Sequence, residues 1–270
     1  MKIQRLFLAI SLLTISLGII SDPMQLVKCH PESFEARQAH TVFQPLGAGL
    51  ANAQTKGFDS NSIYKKELIH GFSVWINQDV LEHKQEAKEL RKELNWQLSQ
   101  IDRVVPAKPL SAIHQVRIWV EWQTQNGAAQ FHPSAEWLQQ NGYNPDKAGS
   151  VEVSNTINFV NWSRTTQPWM ILHELAHAYH FRFLGDRSEI EFAYQHALNN
   201  KLYESVDYIQ GGKQKAYALT NFREYYAELS EAYFGKNDFY PFTRSELKKY
   251  DSVGYHLMEE TWGKPRATKR

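Results

Sequence analysis

A helix that is apolar on nearly every side must be covered on nearly every side, and this chain contains one. Thr165 or Thr166 is placed to cap it, Pro168 falls where a first turn tolerates proline, and Gly185 after Leu184 can take the left-handed conformation that ends it. Between these limits Met170, Ile171, Leu172, Leu175, Ala176, Ala178, Tyr179 and Phe183 leave little polar surface, so the domain has to be built around this segment. The polar exceptions include His173, Glu174 and His177. Two histidines four residues apart lie one above the other on one helix face, so both imidazoles can reach a single metal ion, and the glutamate between them can act on water at that metal. Burial sharpens the point, because a buried helix must satisfy all three polar groups at once and a metal site does so.

Any metal must be held by His, Asp or Glu. Cys29 is the only cysteine among 270 residues, which excludes an intramolecular disulfide and a cysteine-based zinc site. The length and the 42% apolar content suit one sizeable catalytic domain with appendages. A net charge of +1, from 30 basic and 29 acidic side chains, provides no uniform field for nucleic acid, which is set aside as a partner. Lys2 and Arg5 before the apolar run from Leu6 to Ile20 fit a secretory signal over residues 1–21, with an uncleaved N-terminal anchor as the alternative and the only membrane contact expected. An exported protein, whether secreted, periplasmic or on the cell surface, is the expectation. Residues 22–60, with Pro23, Pro31, Gly47, Gly49 and Gly57 and no sustained period, read as a linker or loosely held extension.

The catalytic domain is expected over residues 61–262. Ile69 to Ile76 has strand composition, and Leu81, Ala87, Leu90, Leu94, Leu98 and Ile101 follow helical spacing until Pro106 and Pro109. Val116 to Trp122 is the strongest strand signal, closed by a turn at Asn126-Gly127. An extended piece from Ala128 to Phe131, a short helix capped by Ser134, and a strand at Val151 to Val153 follow. This order predicts an α+β domain in which a mixed sheet backs the active-site helix, with a mainly helical C-terminal half. The basic tail, residues 263–270, reads as a solvated end.

Catalytic zinc usually takes three protein ligands and leaves one position for water. The metzincin pattern fails, because His180 and Phe183 stand where its glycine and third histidine would be; a glutamate about twenty residues downstream fails as well, because His196 and Ala197 occupy those places. His180 reads as a surface residue or one behind the site rather than a ligand. Further on, Thr220 or Asn221 can cap a helix that Gly235 stops, and Glu224 and Glu228, four apart, share a face flanked by Tyr225, Ala227 and Phe234. Two carboxylates on a partly aromatic helix call for a cation or donors, and the incomplete metal site supplies one.

The run Tyr217, Thr220, Asn221, Glu224, Tyr225, Tyr226, Ala227 and Glu228, placed 47 residues from His177 to Glu224, resembles the zinc metallopeptidases related to the catalytic domain of anthrax toxin lethal factor. The resemblance covers His173 to Phe234 and excludes the toxin's other domains. It implies a zincin-like fold, one zinc ion on His173, His177 and Glu224, Tyr217 assisting the transition state, and Glu228 behind a ligand histidine, orienting it.

The expected activity is zinc-dependent endopeptidase action on a peptide or protein substrate, with Glu174 as general base toward zinc-activated water and proton donor to the leaving amine. A substrate strand is expected to pair with a sheet edge at Ala128 to Phe131 or Val151 to Val153. Alternatives are a zinc-binding or interaction module without turnover and a zinc amidase acting on cell-wall peptides.

Overall fold

The computed structural model describes residues 61–267 and the backbone of Val27–Lys28. The apolar run Leu6 to Ile20, Cys29, most of the 22–60 extension and the tail residues 268–270 lie outside the described residues.

Where one strand is expected over Ile69 to Ile76, the chain makes a hairpin: β2, Tyr64–Ile69, turns at His70 and Gly71 into β3, Phe72–Asn77. Both turn residues have positive φ, 48° and 85°, the geometry that matches strand twist in a two-residue loop. Gly71 is further required because a Cβ there would lie 2.6 Å from the His114 ring. The remaining strands are β4, Ile118–Val120, β5, Ala129–His132, and β6, Ser150–Val153. With the short β1, Val27–Lys28, they form one sheet in the order β1-β5-β6-β4-β3-β2. β3, β4 and β6 run parallel, whereas β2 and β5 are antiparallel to their neighbours, so the sheet is mixed as expected. Neither expected edge is bare: β6 is interior, and β5 carries β1 on its outer side.

Two helical segments replace the single one expected after β3: α1, Gln78–Glu82, and the long α2, Lys84–Val104. Pro106 ends α2, but Pro109 breaks nothing, because it sits in the first turn of α3, Ala107–Ile113, where no helical N–H is needed. Ser134 caps α4, Ala135–Gln140, by accepting from Trp137 N–H. α5, Thr156–Thr165, was not anticipated; Thr166 closes its C-terminus rather than capping the apolar helix. That helix, α6, spans Met170–Tyr179 and has no side-chain cap of its own. Instead the Ile171 N–H donates to Gln97 Oε1 of α2 at 3.0 Å, so a neighbouring helix satisfies its first turn. Beyond Tyr179 the chain makes a π-turn over His180–Leu184 that Gly185 closes at φ 68°.

All ten residues of α6 are buried. β5 and β6 cover it on the sheet side, while α2, α3 and the later α8, Phe222–Phe234, cover the rest. The apolar sheet face beneath is made by Phe72, Val74, Ile76, Ile118, Val120, Ala129, Phe131, Val151 and Val153, the alternate residues of each strand. α7, Ser188–Asn199, α9, Arg244–Tyr250, and α10, Ser252–Trp262, complete the helical half and pack around α8. The start of the basic tail is anchored, since Arg266 N–H donates to Val104 O at 2.9 Å.

The opposite sheet face packs the rings of Trp75, Trp119 and Tyr64 beside a buried charge cluster. Lys147 Nζ lies 2.6 Å from Glu121 and 3.0 Å from Glu152, His132 bonds Glu152, and Tyr64 and Asn77 donate to Glu121. Burial pushes the Glu152 carboxyl up, but His132 and Lys147 outweigh it and hold it at about 2.

Candidate metal centre

His173 and His177 project from one face of α6, their ring centroids 4.8 Å apart. Glu224 arrives from α8. Asn221 caps that helix, accepting from Arg223 N–H at 2.9 Å and Glu224 N–H at 3.1 Å, so Glu224 stands in the first turn, where the helix dipole favours a carboxylate. Its Oε2 lies 3.1 Å from His173 Nε2 and 3.2 Å from His177 Nε2. One oxygen thus addresses both imidazoles, and the ligand atoms of the three residues all lie within 4.8 Å of one another. All three side chains are buried, as is Glu174.

The donor set fits a divalent metal. His177 Nε2 is buried with the 3.2 Å approach of Glu224 Oε2 too poorly aligned to satisfy it, and two imidazoles with one carboxylate is a zinc-type ligand set. Burial drives the Glu224 carboxyl up, yet His177 and His173 hold it at about 2, so it remains an anion facing the two rings. Burial lowers the His177 pKa, which favours the neutral imidazole a metal requires.

Tyr217 opens the short turn Tyr217–Leu219 just before α8, and its ring centroid is 6.3 Å from that of His173. It therefore borders the centre on the side of His173. His180 is not among the ligands. It is buried against Phe222 and Tyr226 of α8, and burial, His177 and Arg223 hold its pKa at about 4, so it packs as a neutral ring.

Behind His173 the assignment changes. Glu231 Oε1 lies 2.7 Å from His173 Nδ1, whereas Glu228 Oε1 is 4.0 Å away and its other oxygen accepts from Asn237 Nδ2 at 3.2 Å. Glu231 thus fixes the ring so that Nε2 points at Glu224. Glu231 follows Glu224 by seven residues, two helical turns, so a search of that face at seven as well as four residues would have found it. Burial, Asp238 and Glu231 push the Glu228 carboxyl well above its usual range. His173, Glu228 and Glu231 form a second group whose atoms could hold a metal, but it reaches the ring through Nδ1, the nitrogen that Glu231 already engages.

Asp251 buttresses α8 from the far side, accepting from Tyr203 at 2.9 Å and Tyr225 at 2.6 Å through one oxygen. The other oxygen caps α10 at Gly254.

No protein-family model, curated protein or solved structure matches this chain.

Proposed function

We propose that the chain is a zinc-dependent endopeptidase with a zincin-like fold, akin to the catalytic domain of anthrax toxin lethal factor. The observation that carries this reading is the meeting of Glu224 Oε2 with Nε2 of both His173 and His177 across two separate helices. His173, His177 and Glu224 would hold one zinc ion, which when bound polarises a peptide carbonyl and acidifies water. Glu174, adjacent to the ligand His173 and fully buried, takes the proton from the attacking water and returns it to the leaving amine. Tyr217 donates its phenol hydrogen to the carbonyl oxygen as negative charge develops there. Glu231 keeps His173 in one tautomer and one orientation. With the apolar run Leu6 to Ile20 read as a secretory signal, the enzyme works outside the cytoplasm on peptide or protein substrates.

The test is metal content and hydrolysis measured together. The purified protein should carry about one zinc per chain and cleave a mixed peptide library, with chelator abolishing cleavage. Glu174→Gln should retain the metal and lose hydrolysis, whereas Glu224→Ala should lose metal. Cleavage by Glu174→Gln at the parent rate would overturn the mechanism, and zinc retention without any cleavage would leave a binding module.

A further inference from the structure

Arg223 is misplaced by the electrostatics of its own helix. It stands in the first turn of α8, between the capping Asn221 and Glu224, where the helix dipole favours an anion and disfavours a cation. Its side chain is half-buried. A guanidinium that loses water in this way normally recovers the loss on a carboxylate or a carbonyl. Arg91 does so with Glu67, Arg164 with Glu89 and Glu93, and Arg182 with the carbonyls of Gln115 and Gly149. Among the described residues the Arg223 guanidinium has no ion pair and no hydrogen bond; its contact is the Phe222 ring, whose centroid lies 4.7 Å from Cζ.

That contact fixes where the charge sits. The Phe222 ring packs edge-on against His180 at 5.9 Å, and His180 follows the ligand His177 by three residues. Burial is the main cause that lowers the pKa of both imidazoles, and the Arg223 charge adds to it in each. Asp186 also acts on His180 but makes no ion pair with Arg223. Glu224, the neighbouring carboxylate, is committed to Nε2 of His173 and His177. A cation without a partner thus stands beside the metal centre, on a helix start that itself attracts anions.

We propose that Arg223 is a specificity-determining residue that receives a carboxylate of the substrate beside the metal centre. This deepens the peptidase reading and rests on it. A guanidinium presents paired N–H donors that match the two oxygens of a carboxylate, and here it can do so without breaking an existing ion pair. The carboxylate belongs either to an Asp or Glu side chain near the scissile bond or to the C-terminus of the substrate, since both offer the same two oxygens.

The experiment uses the full chain as Glu174→Gln, loaded with zinc, to retain peptides without cutting them from a synthetic random mixture made both as free acids and as C-terminal amides. Peptides with Asp or Glu at one position should be enriched in both forms. Enrichment of free acids alone, whatever their sequence, would also support the site and assign the carboxylate to the chain end. The preference should vanish in Glu174→Gln/Arg223→Gln, with a roughly tenfold weaker Kd for the selected peptide. It should return in part in Glu174→Gln/Arg223→Lys and turn toward Lys and Arg in Glu174→Gln/Arg223→Glu, a reversal that a merely structural Arg223 would not give. Neither zinc content nor Tm should fall in the Gln and Glu variants, because both remove a cation from the start of a helix. Equal retention of acidic and neutral peptides, an acidic preference that survives Arg223→Gln, or retention of no peptide would each overturn the site. Acidic enrichment as expected, with no hydrolysis by the parent, would keep the site and remove the peptidase reading. Hydrolysis with no carboxylate preference would do the reverse.

Discussion

Glu231 Oε1 stands 2.7 Å from His173 Nδ1, on the side of the ring away from the Nε2 that faces Glu224. A carboxylate in this place raises the basicity of a ligand histidine and locks its orientation. Glu231→Gln should weaken zinc binding by roughly 10- to 100-fold. Glu228→Gln should weaken it less, because the Glu228 carboxyl is 4.0 Å from the ring and engages Asn237 instead. Competition with a chromophoric chelator measures both, and equal losses would contradict the assignment.

Gln97 joins three elements. Its carbonyl accepts from Ile171 N–H at 3.0 Å, and its amide donates to Ser163 at 2.9 Å and Glu93 at 3.2 Å. Gln97→Leu keeps the volume but leaves a buried amide of α6 unpaired, so it should lower unfolding free energy by about 1–3 kcal/mol. Urea unfolding of the parent and the variant would show this as a lower midpoint.

Gly235 ends α8, where the close approach of Trp169 leaves no room for a side chain. A Cβ there would lie 1.9 Å from Trp169 Cε2, beside the start of α6. Gly235→Ala should therefore cost about 1–3 kcal/mol or more through overpacking and should disturb the spacing of the two site helices. A lower Tm together with weaker zinc retention is the expected pair of results, and an unchanged Tm would show that Trp169 moves aside freely.

The Glu152 carboxyl, held at about 2 by His132 and Lys147 against its burial, links stability to acid pH. A folded-state pKa below the unfolded value means that the contribution is complete above the unfolded pKa near 4.5 and is lost as pH falls through about 2. Glu152→Gln should flatten this acid limb of the stability profile. It should also cost about 3–5 kcal/mol at neutral pH, because it leaves Lys147 with one buried partner fewer. Denaturant midpoints collected from pH 2 to pH 7 would check both effects.

Much of the domain was legible from local pattern. Ser134 caps the helix it was expected to cap, and of the two candidates Thr220 and Asn221 it is Asn221 that caps α8, each acceptor taking backbone N–H within three residues. The misreadings have a common cause. Pro109 suits a helix breaker but sits in the first turn of α3, and Thr165 and Thr166, the two candidates for capping α6, instead end and close α5, because each residue type suits either role and only the path of the chain selects one. Ile69 to Ile76 looked continuous because its apolar residues hide the positive-φ turn at His70 and Gly71.

What the sequence determined by itself is what lies within one helix: two histidines one turn apart on α6, and Glu224, Glu228 and Glu231 along α8, fixed by a period of 3.6 residues. Which carboxylate meets which ring nitrogen depends on the distance and rotation between α6 and α8. Contacts far apart in the chain set that packing, among them Gly235 against Trp169 and Asp251 beneath Tyr225. The resemblance implied Glu224 beside the two histidines, but only the tertiary structure shows its Oε2 facing both Nε2 atoms and puts Glu231, rather than Glu228, on Nδ1.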